Sequence, residues 1–156
     1  LVELAAAKDG DAELFYAGYW LARSGRYAEA LPAFEEALAA AEEATAAPAD
    51  LWWHAADTLV RLSRPDEAEP ILLADIARAP GQTASRVALA GLYHTAGRAE
   101  EAGQAASDLL RFSPTPDTYN LVARLWIGFG NPDRAATVRA EAVRLSAPAP
   151  SGTTVY

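Results

Sequence analysis

The sequence predicts an all-α fold, a solenoid of about four helix–turn–helix hairpins. A small turn residue is followed five positions later by an alanine at four places, and these alanines are spaced by 38, 34 and 33 residues. Each turn lies between two stretches in which apolar residues recur at helical spacing. A proline stands near each expected hairpin end, where it stops a helix. The turn residues and their alanines are Gly25 and Ala30, Ser63 and Ala68, Gly97 and Ala102, and Gly130 and Ala135.

The first hairpin is predicted to consist of helices over 11–24 and 26–46. Gly25 ends the first helix, because glycine readily adopts the left-handed conformation that follows a helix end. The Ala- and Glu-rich stretch 39–47 extends the second helix, since both residue types favour helix. This extension accounts for the longer interval before the next repeat.

The other three hairpins follow the same plan, with helix pairs predicted at 50–62 and 65–79, at 83–96 and 98–112, and at 116–129 and 132–146. Acidic residues begin these second helices, where the helix dipole favours negative charge. Asn131 before Pro132 is typical of an N-cap followed by proline in the first turn. The last helix carries a polar stripe, as a terminal repeat needs. The stripe consists of Arg134, Thr137, Glu141 and Arg144.

These helices place the repeats near 11–48, 49–82, 83–115 and 116–148. Residues 1–10 are interpreted as the end of a preceding helix or the stump of a further repeat, because they stand where a preceding second helix would end. Residues 149–156 contain proline and glycine and are expected to form a flexible tail.

Composition and charge exclude several classes of function. The formal net charge is −8, and an acidic surface repels phosphate, so we expect no nucleic acid as partner. No apolar run approaches the roughly 18 residues that a membrane span needs, so we expect no membrane insertion. The chain has no cysteine, which excludes disulfides, thiolate zinc sites and cysteine nucleophiles. The compartment is left open, with the cytoplasm favoured.

The four repeats resemble the tetratricopeptide repeat family. The first repeat matches its signature at Leu14, Gly18, Gly25, Tyr27, Ala30, Phe34 and Ala37, and the other three repeats carry partial sets. The resemblance implies a right-handed superhelix whose first helices line a concave groove. It also implies the function: a scaffold for protein–protein interaction that binds a peptide or a helical segment of a partner in this groove.

The resemblance further implies that certain side chains of the first helices are exposed in the groove and contact the partner. Aromatic and arginine side chains supply much of the binding energy in protein interfaces. For Phe15 and Trp53 a second interpretation stays open, in which the rings only fill space between adjacent repeats. The predicted partner-binding residues are Phe15, Tyr19, Arg23, Trp53, Asp57, Arg61, His94 and Arg124.

No catalytic residues, metal site or cofactor are predicted, and we expect a chain that is not an enzyme. His54 and Asp57 lie three apart on one helix and could share a metal, but the sequence supplies no third ligand. A polar helix face is the simpler interpretation of this pair.

Another protein or a peptide is therefore the expected partner. One alternative is a regulatory or substrate-positioning domain of a larger bacterial enzyme or regulator. A bacterial source is indicated by the abundance of alanine and arginine, with Lys8 as the single lysine. A further alternative is a homo-oligomer formed through the ends of the array or through the tail.

Overall fold

The computed structural model describes the backbone of residues 2–43 and 47–147, and this part of the chain folds into eight α-helices without a strand. The side chains described are those of residues 12–41 and 47–147. None of the helices in these ranges is long and apolar enough to cross a membrane. The helices are α1 (Val2–Arg23), α2 (Tyr27–Glu43), α3 (Leu51–Arg61), α4 (Pro65–Arg78), α5 (Thr83–Thr95), α6 (Ala99–Phe112), α7 (Pro116–Gly128) and α8 (Pro132–Ser146).

The helices form four hairpins stacked in chain order. Helix α1 packs on α2, α3 on α4, α5 on α6 and α7 on α8, and each second helix then packs on the first helix of the next hairpin. The first helices α1, α3, α5 and α7 also touch one another in succession, so they share one side of the stack. The predicted all-α solenoid is confirmed.

Most helix ends lie within two residues of their predicted places, and the exception is the start of α1. This helix runs from Val2 without a break, so it does not begin near residue 11. Gly10 lies inside it, and one glycine costs a helix only about 1 kcal/mol relative to alanine. The domain division after residue 10 stays a prediction. The predicted tail, 149–156, and the last predicted turn of α2, 44–46, lie outside the described residues.

All four predicted turn residues adopt the left-handed conformation. The φ angles are 76° at Gly25, 60° at Ser63, 74° at Gly97 and 75° at Gly130. One backbone hydrogen bond then closes each helix end, in which the N–H after the turn residue donates to a carbonyl five residues before it. These bonds are 2.8–2.9 Å long and run from Arg26 to Leu21, from Arg64 to Leu59, from Arg98 to Tyr93 and from Asn131 to Trp126. The turn residue that recurs in each repeat of the sequence therefore forms the same helix-capping turn in every hairpin.

The apolar core is a chain of three contiguous clusters, each shared by two hairpins or more. In the first hairpin the ring of Phe34 is fully buried and lies directly against Gly18. A Cβ atom added at Gly18 would stand 2.8 Å from this ring, so only glycine admits it. In the other hairpins an alanine stands at the Gly18 position, and an alanine also recurs at the Ala30 position of every hairpin. The buried small residues are Ala30, Ala56, Ala68, Ala90, Ala102, Ala123 and Ala135.

A buried polar contact joins the second hairpin to the third. The carboxylate of Asp75 on α4 accepts a hydrogen bond from the hydroxyl of Ser85 on α5, and both residues are almost completely buried. Arg78 donates to the same carboxylate at 2.7 Å, and its guanidinium stacks 3.9 Å from the ring of Trp52. Because each buried polar atom has a partner, this contact fixes how the two hairpins stack.

Candidate peptide-binding surface

Two adjoining depressions lie on the side of the stack formed by the first helices. The α3–α5 pocket and the α1–α3 pocket each have a volume of about 380 Å³. Trp53 and Asp57 line both pockets, so the two form one continuous surface, called the groove below. The α3–α5 pocket is lined by Trp53, Ala56, Asp57, Val60, Leu72, Val87, Ala88, Gly91, Leu92 and Thr95. The α1–α3 pocket is lined by Tyr19, Ala22, Arg23, Tyr27, Asp50, Trp53, His54 and Asp57.

The α3–α5 pocket is mainly apolar. Its walls come from two helices of neighbouring hairpins, with Trp53 and Val60 on α3 and Val87 on α5. Gly91 opens the space between them, because a Cβ atom added there would meet nothing within 4 Å. The volume falls within the range of ligand pockets, about 300–1,000 Å³. The pocket can therefore receive an apolar side chain and expel water from both surfaces.

The α1–α3 pocket carries charged and hydroxyl groups. On α1, a guanidinium nitrogen of Arg23 donates to the hydroxyl of Tyr19 at 3.4 Å. On α3, Arg61 lies 3.5 Å from the Asp57 carboxylate and 5.8 Å from the centre of the Tyr27 ring. Arg61 is exposed and Asp57 is half-buried, so the pair contributes little to stability and remains available to a ligand.

His54 lies at the centre of an aromatic cluster beneath the α1–α3 pocket. Its ring centre is 4.6 Å from that of Trp53 and 5.1 Å from that of Tyr19, with edge-to-face geometry in both pairs. It also stacks nearly parallel to Phe34, with ring centres 6.2 Å apart. Burial lowers the pKa of His54, and the nearby carboxylates of Asp50 and Asp57 oppose this shift. The neutral imidazole therefore acts as one more ring in the cluster.

The lowered pKa of His54 predicts a loss of stability in mild acid. The unfolded chain, with a histidine pKa near 6.5, binds the proton before the folded chain does. The His54 contribution is thus complete above about pH 7 and is lost as the pH falls through about 6.5 toward the folded pKa. Urea unfolding gives the free energy of unfolding at pH 7.5 and at pH 5.5. The decrease between these two pH values should be smaller for His54→Phe than for wild type. A loss in His54→Phe equal to that of wild type would contradict the assignment.

The structure brings together five of the eight predicted partner-binding residues. Tyr19, Arg23, Trp53 and Asp57 line the groove, and Arg61 adjoins it through its ion pair with Asp57. Their role in binding stays a prediction.

The expected exposure of Phe15 is wrong. Its ring is 8% exposed and packs against Phe34 at 6.2 Å and His54 at 5.7 Å between the first two hairpins. The space-filling interpretation applies to this ring. It does not apply to Trp53, which is only partly buried and lines both pockets.

His94 and Arg124 lie apart from the groove. His94 is exposed at the end of α5 and stacks on Phe129, with ring centres 4.6 Å apart. It lines a separate depression of about 520 Å³ with Trp126, Arg134 and residues of α6. Arg124 is exposed on α7 and lines neither pocket of the groove. The predicted set therefore does not form a single surface.

Tyr27 and Asp50 are among the groove residues that were missed from the sequence. Tyr27 begins a second helix, and the capping turn at Gly25 carries it back to the end of α1. Asp50 precedes α3 and lines the same pocket. The signal that could have found Tyr27 is its place directly after a turn.

No group of three histidine or carboxylate side chains that could hold a metal occurs among the described residues, and the ring of His54 packs against other rings.

Comparison with known proteins identifies this architecture. The family described as tetratricopeptide repeat matches residues 21–83. No curated protein matches the chain. Among solved structures, MamA superposes with a TM-score of 0.67 at 17% identity, covering 92% of this chain and 82% of that protein.

Two further solved structures share the fold. YrrB, described as a tetratricopeptide repeat protein with an unusual peptide-binding site, gives a TM-score of 0.61 at 21% identity over 92% of this chain and 72% of its own. A tetratricopeptide repeat protein from Parabacteroides merdae ATCC 43184 gives 0.69 at 18% identity over 88% of this chain and 54% of its own. Residues 21–83 are therefore similar in sequence to the tetratricopeptide repeat family, and the eight described helices share the stacked-hairpin fold of these solved structures.

Proposed function

We propose that the chain is a protein-interaction scaffold that binds an extended peptide segment of a partner protein in the groove. The observation that carries the proposal is the α3–α5 pocket, an open apolar space whose walls belong to two successive hairpins. A stacked-hairpin fold offers such an extended concave surface to a partner. A partner residue with an apolar side chain fills the pocket and supplies the main anchor.

The α1–α3 pocket supplies polar contacts beside this anchor. Arg23 and Asp50 offer opposite charges to the flanking peptide, and the Tyr19 hydroxyl donates or accepts a hydrogen bond. Such groups fix the register of a bound peptide, while the apolar anchor and the Trp53 ring supply affinity. YrrB is described as having a peptide-binding site, which supports a peptide as the class of ligand.

The same groove serves the alternative role within a larger bacterial enzyme or regulator. In that role the bound segment belongs to a substrate or to a regulatory partner, and the scaffold positions it without catalysing a reaction. The experiment below tests the groove in either setting, because it measures peptide binding alone.

Substitution of Gly91 tests the anchor site directly. In Gly91→Phe the new ring enters the open α3–α5 pocket, and we expect peptide affinity to fall at least about tenfold, or about 1.4 kcal/mol. The ligands are peptides selected from a displayed random library against the wild-type chain, and titration calorimetry measures their affinity. In selected peptides, replacing the apolar anchor by alanine should weaken binding to a similar degree.

Gly91→Ala is the matched control. Its Cβ meets nothing within 4 Å, so the pocket stays open and binding should be unchanged. Alanine should also raise the unfolding free energy by about 0.5–1 kcal/mol, because glycine is unfavourable inside a helix. Selected peptides that bind Gly91→Phe as tightly as wild type would show that the α3–α5 pocket is not the anchor site.

A further inference from the structure

One face of α1 is exposed, although the corresponding face of α3 is buried in the second hairpin. Counted from the turn residues, Tyr16 and Trp20 on α1 correspond to His54 and Thr58 on α3. Thr58 is 1% exposed, whereas Tyr16 is 57% and Trp20 is 64% exposed. The row on α1 is Glu13, Tyr16, Ala17 and Trp20, and its counterparts are Leu51, His54, Ala55 and Thr58 on α3 and Ser85, Ala88, Leu89 and Leu92 on α5. We call the row on α1 the head face.

Helix α8 exposes the complementary face at the other end of the stack. Val143 on α8 is 69% exposed, although its three counterparts are partly buried in core clusters shared with the next hairpin. These counterparts are Leu38, Ile76 and Leu110. A depression of about 460 Å³ surrounds Val143, and we call it the tail face. It is lined by Asn120, Arg139, Ala142, Val143, Ser146 and Ala147.

We propose that a second copy of this chain is the partner of these faces, so that the head face of one copy stacks on the tail face of the next. The junction repeats the packing of one hairpin on the next within the chain. It lies at the ends of the stack, away from the groove, and is independent of the proposed peptide binding.

The internal register predicts two contacts across this junction. Within the chain, Phe34 stacks on His54 of the next hairpin; the counterparts at the junction are Arg139 and Tyr16 of the second copy. An arginine over an aromatic ring is already frequent in this molecule, as in Arg98 over Tyr93 at 4.3 Å. The guanidinium of Arg139 can stack on Tyr16 in the same way.

The second contact follows from a hydrogen bond between the last two hairpins. The hydroxyls of Ser113 and Thr118 lie 3.3 Å apart, and their counterparts at the junction are Ser146 and Glu13 of the second copy. Within α8 the Ser146 hydroxyl donates to the Ala142 carbonyl at 2.9 Å, and at the junction it turns to donate to the Glu13 carboxylate instead. Arg139, which has no carboxylate within 4 Å among the described side chains, brings the positive charge that complements Glu13. Charge and register thus favour the same partner, another copy in head-to-tail order.

Analytical ultracentrifugation of the chain tests this proposal. The average mass of the wild type should rise with concentration between about 1 and 200 µM, as for a micromolar interface. Trp20→Glu on the head face and Val143→Glu on the tail face should each weaken association at least about tenfold, because each buries a carboxylate in an apolar contact. The matched control is Leu73→Glu, an exposed apolar position on α4 away from both ends.

Mixing the two variants distinguishes head-to-tail stacking from other modes. Trp20→Glu keeps an intact tail face and Val143→Glu keeps an intact head face, so the mixture should form a one-to-one dimer and stop there. Circular dichroism should show both variants folded, since both positions are exposed. A wild-type chain that stays monomeric would overturn the proposal and leave the head face to another protein. A mixture that fails to dimerise, or association that depends on residues 148–156 alone, would also overturn it.

Discussion

Replacing Phe34 by alanine is expected to lower the free energy of unfolding by about 3–5 kcal/mol, the range for removing a buried phenylalanine. The Phe34 side chain is fully buried and makes contact with Gly18, with Phe15 and with the His54 ring of the next hairpin. Removing the ring leaves a cavity that Gly18 cannot fill, because glycine has no side chain. Urea unfolding followed by far-ultraviolet circular dichroism measures the loss.

The matched control for Phe34→Ala is Leu73→Ala. Leu73 is 46% exposed, so its truncation should cost less than about 1 kcal/mol. Because stacked hairpins contact only their neighbours, the damage from Phe34→Ala should fall mainly on α1, α2 and α3. Amide hydrogen exchange should therefore accelerate there more than in α7 and α8. A loss similar to that of Leu73→Ala would show that Phe34 is not a core residue.

Asp75→Ala should cost about 2–3 kcal/mol, the second largest effect. The substitution removes the two charge-assisted hydrogen bonds that Asp75 accepts, and it leaves the Ser85 hydroxyl buried without an acceptor. A lost charge-assisted bond and an unsatisfied buried hydroxyl each cost about 1–3 kcal/mol. Release of the buried carboxylate to alanine offsets part of this loss. Equilibrium unfolding in urea gives the change.

A double-mutant cycle separates the Ser85 contact from other effects of Asp75. Ser85→Ala alone should be mildly destabilising, and Asp75→Ala with Ser85→Ala should cost less than the sum of the two, since no orphaned hydroxyl remains. The control is Asp66→Ala at an exposed position in the first turn of α4, with an expected cost below about 1 kcal/mol. Strict additivity of the two substitutions would show that the buried hydrogen bond carries no stability.

The repeat pattern predicted the helices well because its signals are local. A turn residue with positive φ, a helix-stopping proline and an acidic first turn each act within a few residues, so Gly25 and Pro132 mark their boundaries directly. The start of α1 was wrong for the same reason. A single glycine such as Gly10 is too weak a signal to end a helix.

The site was harder to predict because exposure depends on the angle between hairpins. Phe15 and Tyr19 lie one helical turn apart on the same face of α1, yet Phe15 reaches the core ring Phe34 and Tyr19 remains at the pocket. Sequence spacing gives the face of a helix but not how closely the next hairpin covers it. His94 shows the same limit at the end of α5, where Phe129 of the last hairpin covers one side of its ring.

The walls of the α3–α5 pocket belong to two successive hairpins, so the width of the pocket depends on the angle between them and changes when the array bends. The Asp75–Ser85 contact lies between the same two hairpins and sets their resting angle. A ligand that fits the pocket at one width favours the corresponding curvature of the array. The coupling is reciprocal, so a force that straightens the array changes the affinity for the ligand. Under the proposed function, peptide affinity and the bending stiffness of the array are therefore coupled.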